Sequence, residues 1–449
     1  MRSRRLLARG VALTLALSLT AAGCGDTKDD KKADKTTETT AAEGNDTANP
    51  LTGMKGTTPL VDLGDDFKNK MKEIDPALVD FNYGAESYDA VMIIALAATE
   101  AKTDGIGYAE KINGITRGGT KCTTFADCKK LLDDGKDIDF DGASGPLEFS
   151  GNGEPTEASY GILQFGTNGC EKTKECVDND KTTFVKATAP KSADVDQVAV
   201  EGDRAGDGVL KIGTLLPKTG SLAFLGPPEF AGVKLAIKEI NEAGGVLGKD
   251  VGYEEGDSGD TENKVAPNTV STLLAANVDA IIGAASSSVS LSVVDTIATA
   301  GVVMFSPANT SKKLSTYADK GLYFRDAPSD ILQGQVLADT MVADGRSTVY
   351  ILALNDDYGT GLADDLKAGL ESGGAKVTDT KIYDPKAADY STEVQAAKDA
   401  GADAIALIGF DESSKILAKM VEQGIKLDTV YGVDGNMGNA LAENIEAGK

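Results

Sequence analysis

Six short apolar runs alternate with helical segments over residues 208–449, and this alternation limits the possible fold more than any other feature of the sequence. The runs are rich in Val, Ile and Leu, and Gly, Pro or Asp bounds them. They cover residues 209–217, 278–285, 302–308, 347–354, 402–410 and 429–435. Continuous apolar runs of this length are typical of parallel strands that are covered on both faces.

The segments between the runs have the apolar spacing of amphipathic helices. This spacing is clearest over residues 227–245, 362–374 and 413–425. Strand–helix alternation predicts an α/β fold with two successive doubly wound, Rossmann-like units, called lobes below. We expect the first lobe to span residues 208–328 and the second lobe residues 329–449.

Residues 51–185 have a different pattern. Residues 87–101 predict one helix, and residues 142–166 predict a strand pair with its turn at "GNGEP". This segment has too few strands for a sheet of its own, so we expect it to pack against the rest of the chain. Residues 186–207 are small or charged and lack a clear period, which indicates a linker.

The N-terminus has the features of an export signal. Several arginines precede the apolar core Val11–Leu19, which is too short to span a bilayer, so residues 1–23 are predicted to be a signal peptide. The segment ends in "TAAGC", which resembles a bacterial lipobox and implies a lipid on Cys24. The alternative is a soluble secreted protein cleaved near Ala22. Residues 24–50 are polar and predict a disordered tether.

Four further cysteines form two closely spaced pairs, Cys122 with Cys128 and Cys170 with Cys176. Export permits disulfides, and the spacing favours a bridge within each pair, although three connectivities are formally possible. A metal site is the alternative, but the spacing is not C-x-x-C and the chain has no His. We therefore expect disulfides and no metal site.

Composition excludes several classes of function. The net charge of −25 argues against nucleic acid as a partner, because phosphate binding needs a basic patch. With no His in the chain, Ser-His-Asp and Cys-His catalytic sites are impossible. We therefore expect a protein that is not an enzyme and needs no cofactor. An enzyme that works with the Asp, Ser and Tyr side chains of a cleft is a weaker alternative.

The stretch "KIGTLLPKTGSLAFLGPPEFAGVKLAIKEINEAGGVLGKDV" resembles the beginning of type I periplasmic binding proteins for branched-chain amino acids and related amides. The resemblance continues through "IIGAASSSVSLSVVDTIATAGVVMFSPANTS", "LNDDYGTGLADDLKAGL" and "GVDGNMGNAL". In that family, however, segments resembling residues 51–185 come last. The resemblance implies that a hinge joins the two lobes. It also implies a circularly permuted chain in which residues 51–185 complete both lobes and the linker joins the old ends. A rearranged copy without function, or a fragment of a tandem, is the alternative.

The resemblance also implies a set of ligand-binding residues. Ser287 and Thr310 would bind the carboxylate of an amino acid, and the Ala308 carbonyl and Asp434 would bind its ammonium group. The side chain of the bound amino acid would contact Tyr358, Phe410 and Leu225. Independently of the family, "GAASSSVS" and "SPANTS" are strand-to-helix junctions, where helix N-termini favour anions. Helix capping is the commoner use of such Ser and Thr residues.

The function that the resemblance implies is solute capture for an ABC importer. We expect a monomeric lipoprotein on the extracytoplasmic face of the cell membrane that binds a branched-chain amino acid and passes it to a membrane permease. A sensory module of the same fold, with an amide or urea-like ligand, is the main alternative.

Overall fold

The computed structural model of the protein describes residues 49–167, 175–189 and 199–446. The predicted signal peptide, Cys24 and most of the predicted tether lie outside these residues. The described body begins at Asn49, which is buried and accepts a hydrogen bond from the Leu51 N–H at 2.9 Å through its side chain. The last two residues assigned to the tether therefore belong to the body.

The larger sheet has seven strands and combines segments from both ends of the described chain. In order across the sheet, these are β12 (Lys376–Tyr383), β11 (Thr348–Leu354), β13 (Ala404–Ile408), β14 (Val430–Gly432), β1 (Lys55–Pro59), β4 (Glu157–Gln164) and β5 (Thr183–Thr188). The strands from β12 to β1 run parallel, whereas β4 and β5 are each antiparallel to their neighbours. The junction between the two ends of the chain pairs Lys55 with Tyr431 and Gly56 with Gly432.

The smaller main sheet has five parallel strands, all from residues 208–328. In order, these are β10 (Tyr323–Arg325), β9 (Val303–Ser306), β8 (Ala280–Gly283), β6 (Lys211–Leu216) and β7 (Gly252–Asp257). A separate two-stranded sheet joins β2 (Thr120–Cys122) to β3 (Ile138–Phe140).

Helices lie between the strands along the chain. Those of residues 49–167 are α1 (Asp65–Ile74), α2 (Gly84–Ala101), α3 (Ile112–Ile115) and α4 (Phe125–Asp133). Those of the first lobe are α5 (Gly226–Glu242), α6 (Ala266–Ala275) and α7 (Ser287–Thr299). Those of the second lobe are α8 (Asp330–Ala343), α9 (Asp357–Ser372), α10 (Ser391–Asp399), α11 (Ser413–Glu422) and α12 (Asn439–Glu446).

All six predicted strands are present, as β6, β8, β9, β11, β13 and β14. Each of them runs parallel to the strands beside it. The helices predicted over residues 227–245, 362–374 and 413–425 are α5, α9 and α11. Helix α9 begins earlier than predicted, at Asp357. The reason is a cap, because the Asp356 side chain accepts a hydrogen bond from the Gly359 N–H at 2.7 Å.

The predicted strand pair over residues 142–166 is wrong in its first half. Only the second half is a strand, β4, and the "GNGEP" turn is flanked by a single bridge between Phe149 and Pro155. Strand β4 pairs with β1 on one side and β5 on the other. Both of its edges are therefore occupied, and residues 142–149 cannot pair with it.

The predicted linker is also shorter than residues 186–207. Residues 186–188 belong to β5. After the undescribed residues, the chain is bonded to the first lobe. The Arg204 carbonyl accepts a hydrogen bond from the Ile106 N–H at 3.0 Å, and the Arg204 guanidinium lies 2.7 Å from the Asp279 carboxylate.

Helix α2 is buried over most of its length in the core of the first lobe. Its apolar side chains face in all directions, which is typical of a helix surrounded by protein. Its N-terminus lies very close to α5, since a Cβ atom added at Gly232 would lie 2.1 Å from the Gly84 carbonyl oxygen. Residues 49–167 thus supply β1 and β4 to the seven-stranded sheet and α2 to the first-lobe core.

The predicted bridge between Cys122 and Cys128 is confirmed, with 5.3 Å between the two Cα atoms. It connects the end of β2 to α4. The predicted bridge between Cys170 and Cys176 includes a residue outside the described ranges and stays a prediction.

In the part of the chain that the structure describes, no helix combines the length and the apolar character needed to cross a membrane. Over the same residues, no group of three or more Cys, Asp or Glu side chains is arranged to hold a metal ion.

Candidate functional site

One small cavity between the lobes brings together all seven residues that the sequence analysis assigned to ligand binding. These are Leu225, Ser287, Ala308, Thr310, Tyr358, Phe410 and Asp434. All seven are buried, and the cavity they surround is only about 20 Å³, close to the space that one water molecule needs. The lobes are therefore nearly closed over the site.

The cavity lies at the carboxyl ends of parallel strands from both sheets. Ser287 follows β8 and Thr310 follows β9, whereas Phe410 follows β13 and Asp434 follows β14. In open α/β sheets this end of the strands is where loops leave the sheet and ligands bind. The strand pattern of the sequence thus explains why residues so far apart along the chain meet at one place.

The first-lobe wall is built around the N-terminus of α7. The Ser286 side chain caps this helix by accepting a hydrogen bond from the Val289 N–H at 3.4 Å. The Ser287 hydroxyl accepts a hydrogen bond from the Ser311 N–H at 3.3 Å, which holds the loop after β9 against the helix. A helix N-terminus flanked by hydroxyl groups favours an anion such as a carboxylate.

The second-lobe wall is built around the Asp434 carboxylate. Asp434 accepts hydrogen bonds from the hydroxyls of Tyr358 and Tyr83, both at 2.6 Å, and from Gln333 Nε2 at 2.8 Å. Burial raises the pKa of Asp434 above its ordinary value, and the three hydrogen bonds oppose that shift. The ring of Tyr358 stacks on Phe410 with 5.4 Å between the ring centres.

Sequence reasoning missed two residues of this wall, Tyr83 and Gln333. Tyr83 lines the cavity and directly precedes α2, in the left-handed region of backbone conformation at φ 59°. The helix was predicted to begin at Ser87, which left Tyr83 in an unassigned loop, and the "FNYG" sequence before the helix is the signal that was available. Gln333 lies inside α8 and is fully buried, and no sequence feature marks it.

Contacts between the lobes hold the cavity closed. They connect the loop after β9 and the start of α7 to α9. The Ser311 hydroxyl donates to the Asp357 carbonyl at 3.1 Å, the Asp357 N–H donates to the Ser288 hydroxyl at 3.1 Å, and Lys313 forms an ion pair with the Asp357 carboxylate. Lys312 adds an ion pair with Asp365 at 2.7 Å.

Two larger cavities share walls with the closed one. A cavity of about 400 Å³ shares Ser286 and Phe410 with it and contains several carboxylates, including that of Asp411. A second cavity of about 170 Å³ shares Phe410 and is mainly apolar, with Phe224 and Leu441 in its walls. A modest separation of the lobes would therefore give a ligand in the closed cavity room to extend.

The site can bind a zwitterion. Its first-lobe wall presents hydroxyl groups and a helix N-terminus to an anion, and its second-lobe wall presents a carboxylate to a cation. The remaining wall residues, among them Leu222, Leu225 and Phe410, are apolar.

Comparisons with known proteins found matches to two family models and to several relatives. A family model described as "Periplasmic binding protein" matches residues 209–447, and one described as "Receptor family ligand binding region" matches residues 44–168. The Leu/Ile/Val-binding protein homolog 1 of Brucella suis is 30% identical over 250 residues, which are 55% of this chain and 65% of that protein. Homolog 2 of Brucella abortus is 31% identical over 252 residues, with the same two shares. The chain thus spans about 65% of the length of these curated relatives.

Two solved structures are also similar. A branched-chain amino acid transporter substrate-binding protein from Streptococcus pneumoniae, in complex with isoleucine, is 26% identical, with a TM-score of 0.48 over 53% of this chain and 68% of that one. A leucine-binding protein from Thermotoga maritima is 25% identical, with a TM-score of 0.48 over 53% and 67% of the two chains.

The family model extends over more than half of the chain and ends one residue after α12, so it includes the site residues that follow β8, β9, β11, β13 and β14. The chain belongs to the periplasmic binding protein family.

Proposed function

We propose that this protein captures a branched-chain amino acid of the Leu, Ile or Val type between its lobes and delivers it to the permease of an ABC importer. One observation carries the proposal. A single cavity combines a helix N-terminus with two hydroxyl-bearing residues on one wall and a buried carboxylate on the other. The names of the Brucella relatives point to the same ligand class.

In the proposed complex, Ser287 and Thr310 bind the ligand carboxylate, while Asp434 and the Ala308 carbonyl bind the ammonium group. The Tyr83 and Tyr358 hydroxyls and Gln333 Nε2 donate to Asp434, and the ammonium group would add a charged donor to the same carboxylate. The cation then favours the ionised carboxylate, so the pKa of Asp434 falls on binding.

The proposed ligand side chain contacts Leu225, Phe410 and the ring of Tyr358. Because these residues come from both lobes, the closed form makes contacts with the ligand that the open form lacks. That difference is what drives closure of the hinge.

We further propose that the chain is a circular permutation of the family order. Two facts support this. The alignment with the Brucella suis protein covers 65% of that relative and leaves about a third of it without a counterpart. Strand β1, from the opposite end of the chain, pairs with β14 in parallel and continues the sheet that the second lobe begins. Residues 51–185 are thus suited to supply the missing part of both lobes.

The proposed location is the extracytoplasmic face of the membrane, with the protein held there as a monomer by a lipid on Cys24. The supporting residues are the arginine-rich start, the apolar core Val11–Leu19 and the "TAAGC" sequence. The partner is then the permease, which would bind the closed form.

Calorimetric titration of the full chain with leucine, isoleucine and valine tests the proposed ligand, with lysine and glutamate as comparison ligands. We expect the first three to bind and Asp434→Asn to weaken binding by at least 30-fold, because truncating a buried charge pair costs about 2–5 kcal/mol. The matched control Asp379→Asn, an exposed aspartate on β12, should leave the affinity unchanged. A protein that melts cooperatively but binds none of the three amino acids would contradict the proposed ligand class.

A further inference from the structure

The loop that carries Ala308 and Thr310 has no regular secondary structure. It leaves β9 after Ser306 and reaches a short 3₁₀ turn at Leu314. Such a loop is held in place by its individual hydrogen bonds, which include one from the Asp330 N–H to the Thr310 carbonyl at 2.7 Å and several made by side chains.

Before Thr310, the loop is held by residues of the first lobe. Asn309 Nδ2 donates to the carbonyls of Ala284 and Ala285 at 2.9 and 2.8 Å, and Asn309 Oδ1 accepts a hydrogen bond from the Tyr323 hydroxyl at 3.0 Å.

Arg325 binds the backbone on both sides of Thr310. Its Nη1 donates to the Asn309 carbonyl at 3.2 Å and to the Ser311 carbonyl at 3.0 Å. Arg325 is the last residue of β10 and is fully buried. A guanidinium group in this position brackets Thr310 and restrains the peptide groups that carry the Asn309 and Ser311 carbonyls.

A buried guanidinium is stable only when an anion and hydrogen-bond acceptors compensate its lost hydration. Among the described residues, the ion-pair partner of Arg325 is Glu154. Arg325 Nε donates to Glu154 Oε2 at 2.9 Å, and Arg325 Nη2 donates to the same oxygen and to the Ser315 hydroxyl. The Ser315 hydroxyl in turn donates to Glu154 Oε2 at 2.9 Å.

Glu154 belongs to the "GNGEP" turn of the N-terminal segment, which is fitted closely against β10. The Arg325 N–H donates to the Gly153 carbonyl at 2.9 Å. Gly153 has φ +74°, and a Cβ atom there would lie 2.6 Å from Phe324 Cδ1, so only glycine fits this contact. The turn therefore presents Glu154 to Arg325 in one fixed position.

We propose that Glu154 is a positioning residue, which acts through Arg325 to hold Thr310 in the geometry that binds the ligand carboxylate. The inference rests on the ligand-binding role proposed above for Thr310. It gives the "GNGEP" turn a role in binding although the turn itself does not line the cavity.

Hydrogen exchange of the ligand-free full chain tests the positioning step without any ligand. In Glu154→Gln, we expect amide exchange over residues 307–315 to rise at least tenfold, because the neutral amide no longer compensates Arg325. The control Met420→Ala removes a fully buried side chain on α11 of the second lobe and should lower the melting temperature without changing exchange in this segment. An equal change in both variants, or none in Glu154→Gln, would overturn the proposal.

A milder variant serves if Glu154→Gln does not fold. Ser315→Ala removes only the bridging hydroxyl, and we expect a several-fold rise in exchange over residues 307–315. Unchanged exchange in Ser315→Ala would then count against the proposal.

Titration with the amino acid that binds best tests whether the position of the loop affects ligand binding. The dissociation constant should rise at least tenfold in Glu154→Gln, and Glu154→Gln should have no further effect in an Arg325→Gln background. Faster exchange with unchanged affinity would overturn the link to binding. If the wild type binds no amino acid but Glu154→Gln still loosens the loop, the proposed function fails and the positioning of the loop by Glu154 stands.

Discussion

At the scale of single residues, Asp434 is the centre of the site, and its surroundings are more crowded than a simple ammonium site requires. Tyr83, Tyr358 and Gln333 come from three different helical regions, and all donate to this one carboxylate. A buried carboxylate needs such donors. The three contacts therefore stabilise the folded protein.

Removal of one donor should cost stability in the free protein. We expect Tyr83→Phe to lower the free energy of unfolding by about 1.5–3 kcal/mol, as is typical when a hydrogen bond to a charged group is lost. Urea denaturation without ligand measures this change.

The matched control is Tyr350→Phe. Tyr350 is equally buried, but its hydroxyl has no hydrogen-bond partner among the described residues. Its loss should leave the free energy of unfolding within about 0.5 kcal/mol of the wild type or raise it slightly. Equal losses in the two variants would mean that the Tyr83 hydroxyl has no special role.

At the scale of secondary structure, the contact between α2 and α5 contains several acidic groups. Glu86 and Asp89 on α2 and Glu229 on α5 are buried, and Asp326, just after β10, is buried near them. Neither carboxylate oxygen of Glu229 has a hydrogen-bond partner among the described residues. Burial, reinforced by the charge of Asp89, raises the pKa of Glu86 to about 8.

These acids should make the protein less stable as the pH rises. The ordinary pKa of a glutamate is 4.5, so between about pH 4.5 and 8 the folded protein holds a proton on Glu86 that the unfolded chain has released. The free energy of unfolding should therefore fall by about 1.4 kcal/mol per pH unit on account of Glu86 in this window. Urea denaturation at pH 5, 6.5 and 8 should show a smaller fall for Glu86→Gln than for the wild type.

The exposed residue Glu110 provides the control for this experiment. Glu110→Gln should keep the pH dependence of the wild type. If Glu86→Gln and Glu110→Gln had the same dependence, the carboxyl group of Glu86 would not be the proton-binding group.

The strands that could be predicted from sequence lie inside their sheets, with a neighbouring strand on each side. Central strands such as β6, β8, β11 and β13 have continuous apolar runs. Strands β5, β7 and β12 were not predicted, and each lies at the edge of its sheet, where exposed positions admit charged residues.

The sequence likewise predicted only some of the site residues. The residues at the ends of predicted strands could be assigned through the family resemblance. Tyr83 and Gln333 reach Asp434 from helix positions that only the packing of the folded chain brings close.

At the scale of the whole molecule, neither end of the chain forms a complete site. Residues 199–446 contain Asp434, Ser287 and Thr310, whereas residues 49–167 contain Tyr83 and Glu154. The start of α12 is tied to the N-terminal residues as well, since Asn439 Oδ1 accepts hydrogen bonds from the N–H groups of Cys176 and Val177. The two parts are therefore one folding unit.

A reordered chain tests the proposed permutation. If residues 208–449 were followed directly by residues 49–189, every contact of the two sheets would remain possible, and chain ends at the surface tolerate such changes. We expect cooperative melting within a few degrees of the natural order and the same preference among amino acids. Loss of cooperative melting would contradict the proposed permutation.

The pairing of β1 with β14 also sets an order of events during synthesis. Residue 55 leaves the ribosome long before its partner, residue 431, so the edge of β1 waits through most of translation, about 20–75 s at 5–20 residues per second. An unpaired strand edge is a template for aggregation during that time. A cell that makes this protein has to keep β1 from pairing with other chains until β14 has been synthesised.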